Sequence, residues 1–218
     1  MRVLLWSVSL PPVYQRKDPF YARAKDAGYR SRAAFKLQQL VQRGQVLRRG
    51  DYVVELGAWP GGWLQVVAAH VGPKGRIVGI DLRPIERLPE TNVITLVGDV
   101  SDLNTRERVR AVCDCKADVL LSDLAPKLTG VRARDDVQMQ ALASCVLQWV
   151  EWILKPGGVL VIKLFMSNDL SQYVVRLRTL FRHVHLTRPE ATRRGSAELY
   201  AVASGYSGRS AAPDPVLR

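Results

Sequence analysis

One pattern restricts the fold of this chain more than any other: short apolar, branched runs that close on glycine or a carboxylate alternate with segments of helical periodicity. Tyr52–Leu56 closes on Gly57 and is followed by the helical stretch Gly62–Val71. Residues 76–82 are rich in β-branched side chains and carry Asp81 near their end. Val93–Val97 closes on Gly98-Asp99 and leads into a helical segment at 105–113. Residues 118–121 close on Ser122-Asp123; a loop over 126–134 and a long helix over 137–154 follow. Lys155-Pro156-Gly157-Gly158 reads as a turn. After it come a buried strand at 159–165, a helix at Leu170–Leu180 and two last strands at 183–186 and 198–203. Strands alternating with helices predict a three-layer α/β fold around a mostly parallel sheet. The last two strands have no helix between them, which predicts an antiparallel edge. Ser31 stands where it can cap a helix that starts near Arg32.

Charge narrows the class of partner. The 218 residues carry a net charge of +12, and the excess is concentrated. Residues 16–49 hold ten Lys/Arg against two Asp, and residues 176–194 hold six Arg against one Glu, so the rest of the chain is close to neutral. A solvated surface intersperses both signs; a near-neutral body with two basic segments predicts a polyanion partner. Cys113, Cys115 and Cys145 have neither disulfide nor zinc spacing, which predicts a reduced protein with no metal. No run of 18 apolar residues exists, so no membrane helix is expected. The apolar start, Met1 to Leu10, resembles a short signal segment but runs into Pro11-Pro12 without a cleavage pattern. The expected organisation is an N-terminal extension over 1–20, one domain over 21–205 with a basic, polyanion-binding arm at about 21–50, and a mobile tail over 206–218. A cytoplasmic monomer is expected.

The stretch Glu55-Leu56-Gly57-Ala58-Trp59-Pro60-Gly61-Gly62-Trp63 follows the first strand and opens the first helix of the alternation. Ligands of such sheets sit at the carboxyl ends of the strands, and a helix N-terminus offers free N–H groups to a carboxylate. The glycine spacing does not fit the dinucleotide fingerprint, and the Gly-Lys-Ser/Thr of a Walker loop is absent. S-adenosylmethionine, which has no phosphate, tolerates this looser loop. Asp81 at the second strand end can accept ribose hydroxyls, and Asp99 at the third can accept from an adenine amino group. Either acid alone would be an ordinary turn aspartate; their succession at strand ends favours a nucleoside.

At the fourth strand end stands Ser122-Asp123-Leu124-Ala125-Pro126, and Lys163 interrupts the apolar fifth strand. A lysine there needs a partner such as Asp123, or must be neutral. A ribose hydroxyl must lose its proton as it attacks a sulfonium methyl, and a lysine whose pKa is lowered by burial or by a neighbouring cation such as Lys36 can serve as the base. Loops typical of base methylation, Asn-Pro-Pro-Tyr or a Pro-Cys nucleophile, are missing.

These residues carry a resemblance. Gly28-Tyr29-Arg30-Ser31-Arg32-Ala33-Ala34-Phe35-Lys36-Leu37, the Leu56–Trp63 loop, Ser122-Asp123-Leu124-Ala125-Pro126, Lys163-Leu164-Phe165 and Ser196-Ala197-Glu198-Leu199-Tyr200 occur in the order seen in the FtsJ/RrmJ family of ribosomal RNA 2'-O-ribose methyltransferases. The resemblance runs from about Tyr21 to Gly205. It implies a Rossmann-like class I methyltransferase fold with a seven-stranded sheet, and a catalytic set of Lys36, Asp123, Lys163 and Glu198. Lys163 would be the base, Lys36 and Asp123 would tune and orient it, and Glu198 would hold the lysines. S-adenosyl-L-methionine would lie against Gly57, Pro60, Gly61, Gly62, Trp63, Asp81, Leu82, Asp99, Val100 and Asp123. Arg30, Arg32 and Lys36, with Arg193 and Arg194 from the second basic segment, would contact RNA. The implied substrate is a uridine of large-subunit ribosomal RNA in the assembled subunit; family members also act on transfer RNA or messenger caps. Two departures stand out: Trp59 replaces a usually small residue, and Lys127 follows the Asp-x-Ala-Pro motif where Asn is usual. A non-catalytic ribosome-assembly factor would be expected to lose Lys163 or Asp123, and a small-molecule methyltransferase would be expected to lack the basic segments.

Overall fold

The computed structural model describes residues 19–209, apart from 113–114, 127–128, 168 and 194. Seven strands form one sheet in the order β3-β2-β1-β4-β5-β7-β6. They are β1 (Tyr52–Leu56), β2 (Arg76–Asp81), β3 (Val93–Val97), β4 (Ala117–Ser122), β5 (Leu154–Phe165), β6 (Phe181–Thr187) and β7 (Glu198–Tyr206). The first five pair in parallel; β7 runs antiparallel between β5 and the outermost strand β6. The helices are α1 (Pro19–Asp26), α2 (Ala33–Arg43), α3 (Gly62–Val71), α4 (Leu103–Val112), α5 (Arg132–Ile153) and α6 (Leu170–Leu180).

Alternate side chains of each central strand enter opposite cores, as strand pleating requires. Val54, Leu56, Leu120, Leu160 and Ile162 pack with Trp149 and Val150 of α5 and Leu177 of α6. Val53, Val119, Leu121 and Val161 pack with Leu37 and Leu40 of α2 and Leu64 and Val67 of α3. Both layers bury near-continuous apolar strands, the usual state of a parallel sheet.

Local details depart from the sequence reading. The helix expected from near Arg32 is α2, and it is integral to the domain, because Ala34, Leu37 and Leu40 at helical spacing are buried against α3. Ser31 does not cap it: Arg32 occupies the cap position without a side-chain cap bond, and Ser31 instead offers its carbonyl to the Ala34 N–H. The loop at 126–134 is shorter than expected, since α5 begins at Arg132. The Lys155–Gly158 turn is a bulge within β5: Leu154 pairs with Ala117 and Val159 with Val119, so the four intervening residues loop out of register.

Candidate active site

Glu55, Asp81, Asp99 and Asp123 lie at one end of the sheet, where backbone bonds tie each strand end to its neighbour. The Gly57 and Ala58 N–H groups donate to the Ile80 carbonyl, Gly98 N–H to that of Asp81, and Asp123 N–H to that of Leu56. This stitching holds the residues after β1, β2, β3 and β4 level with one another.

The antiparallel insertion of β7 completes the site. Its register sets Tyr200 opposite Lys163 and Glu198 opposite Phe165. The Lys163 ammonium, whose side chain is 8% exposed, donates to the Asp123 backbone carbonyl at 2.6 Å and lies 3.1 Å from Asp123 Oδ1. Lys36, reaching over from α2 with 11% exposure, is ion-paired to Glu198 Oε1. Ammonium groups withdrawn this far from water require such partners. Tyr200, fully buried, joins the two pairs: its hydroxyl lies 2.8 Å from Asp123 Oδ1 and 2.9 Å from Glu198 Oε1, while Lys36 Nζ stands 3.4 Å away. A hydroxyl has one proton to donate, so it can serve only one carboxylate at a time. Burial and the two carboxylates push the Tyr200 phenol well above its ordinary pKa. Burial pushes the Glu198 carboxyl up, but Lys36, with help from Tyr200, outweighs it and holds the group below its ordinary range. The structure therefore brings all four expected catalytic residues into one hydrogen-bonded assembly and adds Tyr200. Tyr200 stood within a motif already singled out, but only strand register reveals its role.

A second residue missed in the sequence lies under the glycine loop. Glu55 is 1% exposed, and its Oε2 has no hydrogen-bond partner. Burial, reinforced by Asp123 and Asp81, raises its pKa well above the ordinary carboxylate range. The signal was present as an acid within an otherwise apolar strand, one residue before its end.

The loop itself serves the protein first. Gly57 and Gly61 have positive φ, +79° and +105°, which other residues adopt at a cost. A side chain on Gly57 would meet Leu124, and one on Gly62 would collide with Ser31 Oγ. The absent side chain of Gly62 thus admits Ser31 of the preceding segment, where close ligand approach was expected. Trp63 also turns inward: it is 2% exposed, donates its indole N–H to the Ala33 carbonyl at 2.7 Å and packs 5.9 Å from Tyr200. Only backbone groups in the first turn of α3, which lack intrahelical partners, leave Gly62 and Trp63 able to meet a ligand. Asp81 accepts the Trp59 and Arg83 N–H groups, both at 2.9 Å, on its two carboxylate oxygens. Leu82 beside it is 69% exposed. Asp99 accepts the Ser101 N–H and hydroxyl, which lower its pKa. Val100, also expected against the cofactor, has its side chain in the core, and its carbonyl accepts the Trp149 indole N–H at 2.8 Å. Trp59, half exposed, lies under the Arg83 guanidinium, 4.7 Å from ring centre to carbon. Pro60 carries the loop forward, and its carbonyl accepts from Arg30.

Arg30, expected to contact RNA, is engaged within the chain. Its guanidinium donates to the carbonyls of Pro60, Glu86 and Arg87 at 3.3, 2.5 and 2.9 Å, so it braces the loop from within the chain where an RNA contact was expected. Arg32 donates to the Ala191 carbonyl and, with Lys36, Arg193, Ser196 and Glu198, lines a polar pocket of about 260 Å³. Arg194 and Lys127 lie outside the described residues. Among the described residues no group of three or more His, Cys, Asp or Glu is placed to hold a metal, and no helix is long and apolar enough to cross a membrane.

Comparison with known proteins places this geometry. The family model for FtsJ-like methyltransferases matches residues 29–206. A protein of Anaeromyxobacter dehalogenans named Ribosomal RNA large subunit methyltransferase E is 39% identical over 93% of this chain and 76% of its own length. Its namesake in Natronomonas pharaonis is 43% identical over 87% of this chain and 74% of its own. Among solved structures, a ribosomal RNA methyltransferase of Plasmodium falciparum superposes with a TM-score of 0.74 at 26% identity, over 83% of this chain and all of that one. Aeropyrum pernix fibrillarin, solved with natively bound S-adenosyl-L-methionine, shares the fold with a TM-score of 0.55 at 17% identity, over 78% of this chain and 75% of its own.

Proposed function

The chain belongs to the FtsJ-like methyltransferase family, and on that premise we propose that it moves a methyl group from S-adenosyl-L-methionine to a ribose 2'-hydroxyl, on a uridine of large-subunit ribosomal RNA in the assembled subunit. The observation that carries this reading is the linked pair of ion pairs, Lys163–Asp123 and Lys36–Glu198, bridged by Tyr200 at the carboxyl edge of the sheet. The large-subunit substrate is drawn from the names of the relatives, and a cytoplasmic location goes with it.

The residues fit the cofactor. The orphaned Oε2 of buried Glu55 suits an ammonium group such as that of the methionine moiety. Asp81 and Leu82 would take the ribose and one face of the adenine, and Asp99 the exocyclic amine. Backbone groups of Gly57, Pro60, Gly61, Gly62 and Trp63 would take the carboxylate end, with Asp123 closing the site. When bound, the cofactor supplies a sulfonium methyl whose carbon–sulfur bond breaks to release a neutral thioether. Lys163 must first give up one ammonium proton to solvent; its neutral Nζ then accepts the proton of the 2'-hydroxyl as that oxygen bonds to the methyl carbon. Asp123, fixed by its backbone bond to Leu56 and by Tyr200, holds Lys163 in place. Lys36, kept in position by Glu198, faces the negative charge that develops on the attacking oxygen.

Nucleotide-resolution mapping of 2'-O-methylation in the host, with and without the gene, tests the reading. One large-subunit uridine should lose its methyl group and regain it when purified protein and cofactor are added to the unmodified subunits. Loss at a transfer RNA position alone would redirect the substrate, and no change at any ribose would overturn the reading.

A further inference from the structure

Residues 170–189 contain four Arg and two His and no Asp or Glu. They form α6, the outermost strand β6 and the start of the connection to β7. The register gives this stretch a direction: Phe181 lies opposite Tyr206 at the far end of the sheet, and Thr187 opposite Tyr200 at the active site. The seven residues of β6 therefore climb about 23 Å toward the catalytic assembly. Arg178, Arg182, His183, His185 and Arg188 are exposed along the way. At the top, Arg188 donates to the carbonyls of Arg193 and Ser196. This fixes the connection that leads into the polar pocket of Arg32, Lys36, Arg193 and Glu198.

Charge on an open sheet edge also prevents pairing with other sheets. That purpose is met by either sign and by a few residues. Here the sign is uniform over twenty positions, the exposed Glu190 that follows is paired with Arg43, and Arg188 is bonded to the carbonyls of Arg193 and Ser196, which line the active-site pocket. Its large exposed apolar side chains are Val175 and Leu186 alone, so charge and not apolar area selects the partner.

We propose that the β6 edge, with the last turn of α6, is an RNA-docking track that holds backbone phosphates of the strand flanking the acceptor nucleotide, outside the catalytic cleft. The proposal rests on the reading of the chain as an RNA 2'-O-methyltransferase. Phosphates along the edge are held by exposed guanidinium groups at sites that carry no base information. The strand then passes Arg188 into the polar pocket and delivers one ribose to Lys163.

The test compares the parent with Arg178→Ala/Arg182→Ala and with Arg178→Lys/Arg182→Lys, using unmethylated large subunits as substrate over a series of salt concentrations. The alanine pair should raise KM for subunits about three- to tenfold and flatten the slope of log KM against log salt by between one and two. The lysine pair should restore both, and cofactor affinity and the unfolding transition should match the parent in each. An unchanged KM and slope in the folded alanine variant overturns the track. A raised KM with an unchanged salt slope also overturns it, because the partner would then be a protein surface. Failure of the underlying reading is separately visible, as absence of transfer by the parent itself.

Discussion

Lys163 donates to Asp123 through two contacts and has a nearly buried side chain, so removing its amine and altering its basicity are different experiments. Lys163→Met keeps the bulk, and it should retain cofactor and RNA binding while losing at least ~100-fold in single-turnover methyl transfer, the effect of deleting a positioned base. Lys163→Arg keeps the charge and should also fail, because a guanidinium does not deprotonate in proteins. Transfer by the arginine variant at near the parent rate would make the lysine an electrostatic element only. Glu55 offers a test through pH. Burial and the neighbouring Asp123 and Asp81 hold its folded pKa well above the ordinary 4.5, so the folded chain keeps a proton that the unfolded chain gives up. Its contribution to stability is complete below the ordinary value and falls as pH rises above it. Glu55→Gln removes that slope, so its melting temperature should gain on the parent between about pH 5 and 8. If the carboxylate receives the cofactor ammonium, the parent should release a proton on binding, seen as a buffer-dependent calorimetric enthalpy, and the glutamine variant should bind more weakly with no such release. Identical buffer dependence in both would remove Glu55 from the cofactor site.

At the scale of elements, the strands were legible because each is an apolar run closed by glycine or a carboxylate, and the acids at those closures located Asp81, Asp99 and Asp123 in advance. The order of the last two strands was less open to reading. An antiparallel pair was evident from the missing helix, but which strand lay inside was not, and that order alone sets Tyr200 beside Lys163 and Glu198 beside Phe165. The intrachain bonds of Arg30 and Val100 were hidden for a related reason. Charge and position along the chain suggested ligand contacts, whereas their partners, the carbonyls at 60, 86 and 87 and the Trp149 indole, come from distant segments. The glycine loop was read correctly as the turn into α3, yet the use of Gly62 was not, since Ser31 reaches it only after α2 has packed on α3. Gly62→Ala places a methyl group against Ser31 Oγ and within 3.3 Å of the Ser31 Cβ and N. It should destabilise the protein by about 1–3 kcal/mol, as overpacking does. Adding Ser31→Gly should recover part of that loss, and a urea-denaturation double-mutant cycle would measure the coupling. Strictly additive effects would mean that the two elements do not meet as closely as described.

For the whole molecule, the two cores lie on opposite faces of one sheet, and the strand ends carrying Glu55, Asp81 and Asp123 are the seam where both cores end. A ligand held across that seam bears on β1, β2 and β4 together, and so opposes unfolding of both layers. Beside burial, the neighbouring Asp123 and Asp81 charges raise the Glu55 pKa, and a cationic ligand offsets that repulsion. Binding to the folded chain alone at a hundredfold excess over Kd adds about 2.7 kcal/mol to stability. In a domain of this size each kcal/mol raises the melting temperature by about 2–4 °C, so saturating S-adenosyl-L-methionine should raise it by roughly 5–11 °C in a single transition. Asp81→Ala removes the acceptor expected for the ribose hydroxyls and unties the Trp59 and Arg83 N–H groups. The variant should lose roughly 1–3 kcal/mol of cofactor affinity, and with it roughly a third to nine-tenths of the thermal gain at the same cofactor concentration. Differential scanning calorimetry at several cofactor concentrations gives both quantities at once. An Asp81→Ala variant that keeps the full upward shift would place the cofactor elsewhere on the sheet, and a parent that shows two transitions in its presence would mean that the seam does not couple the two cores.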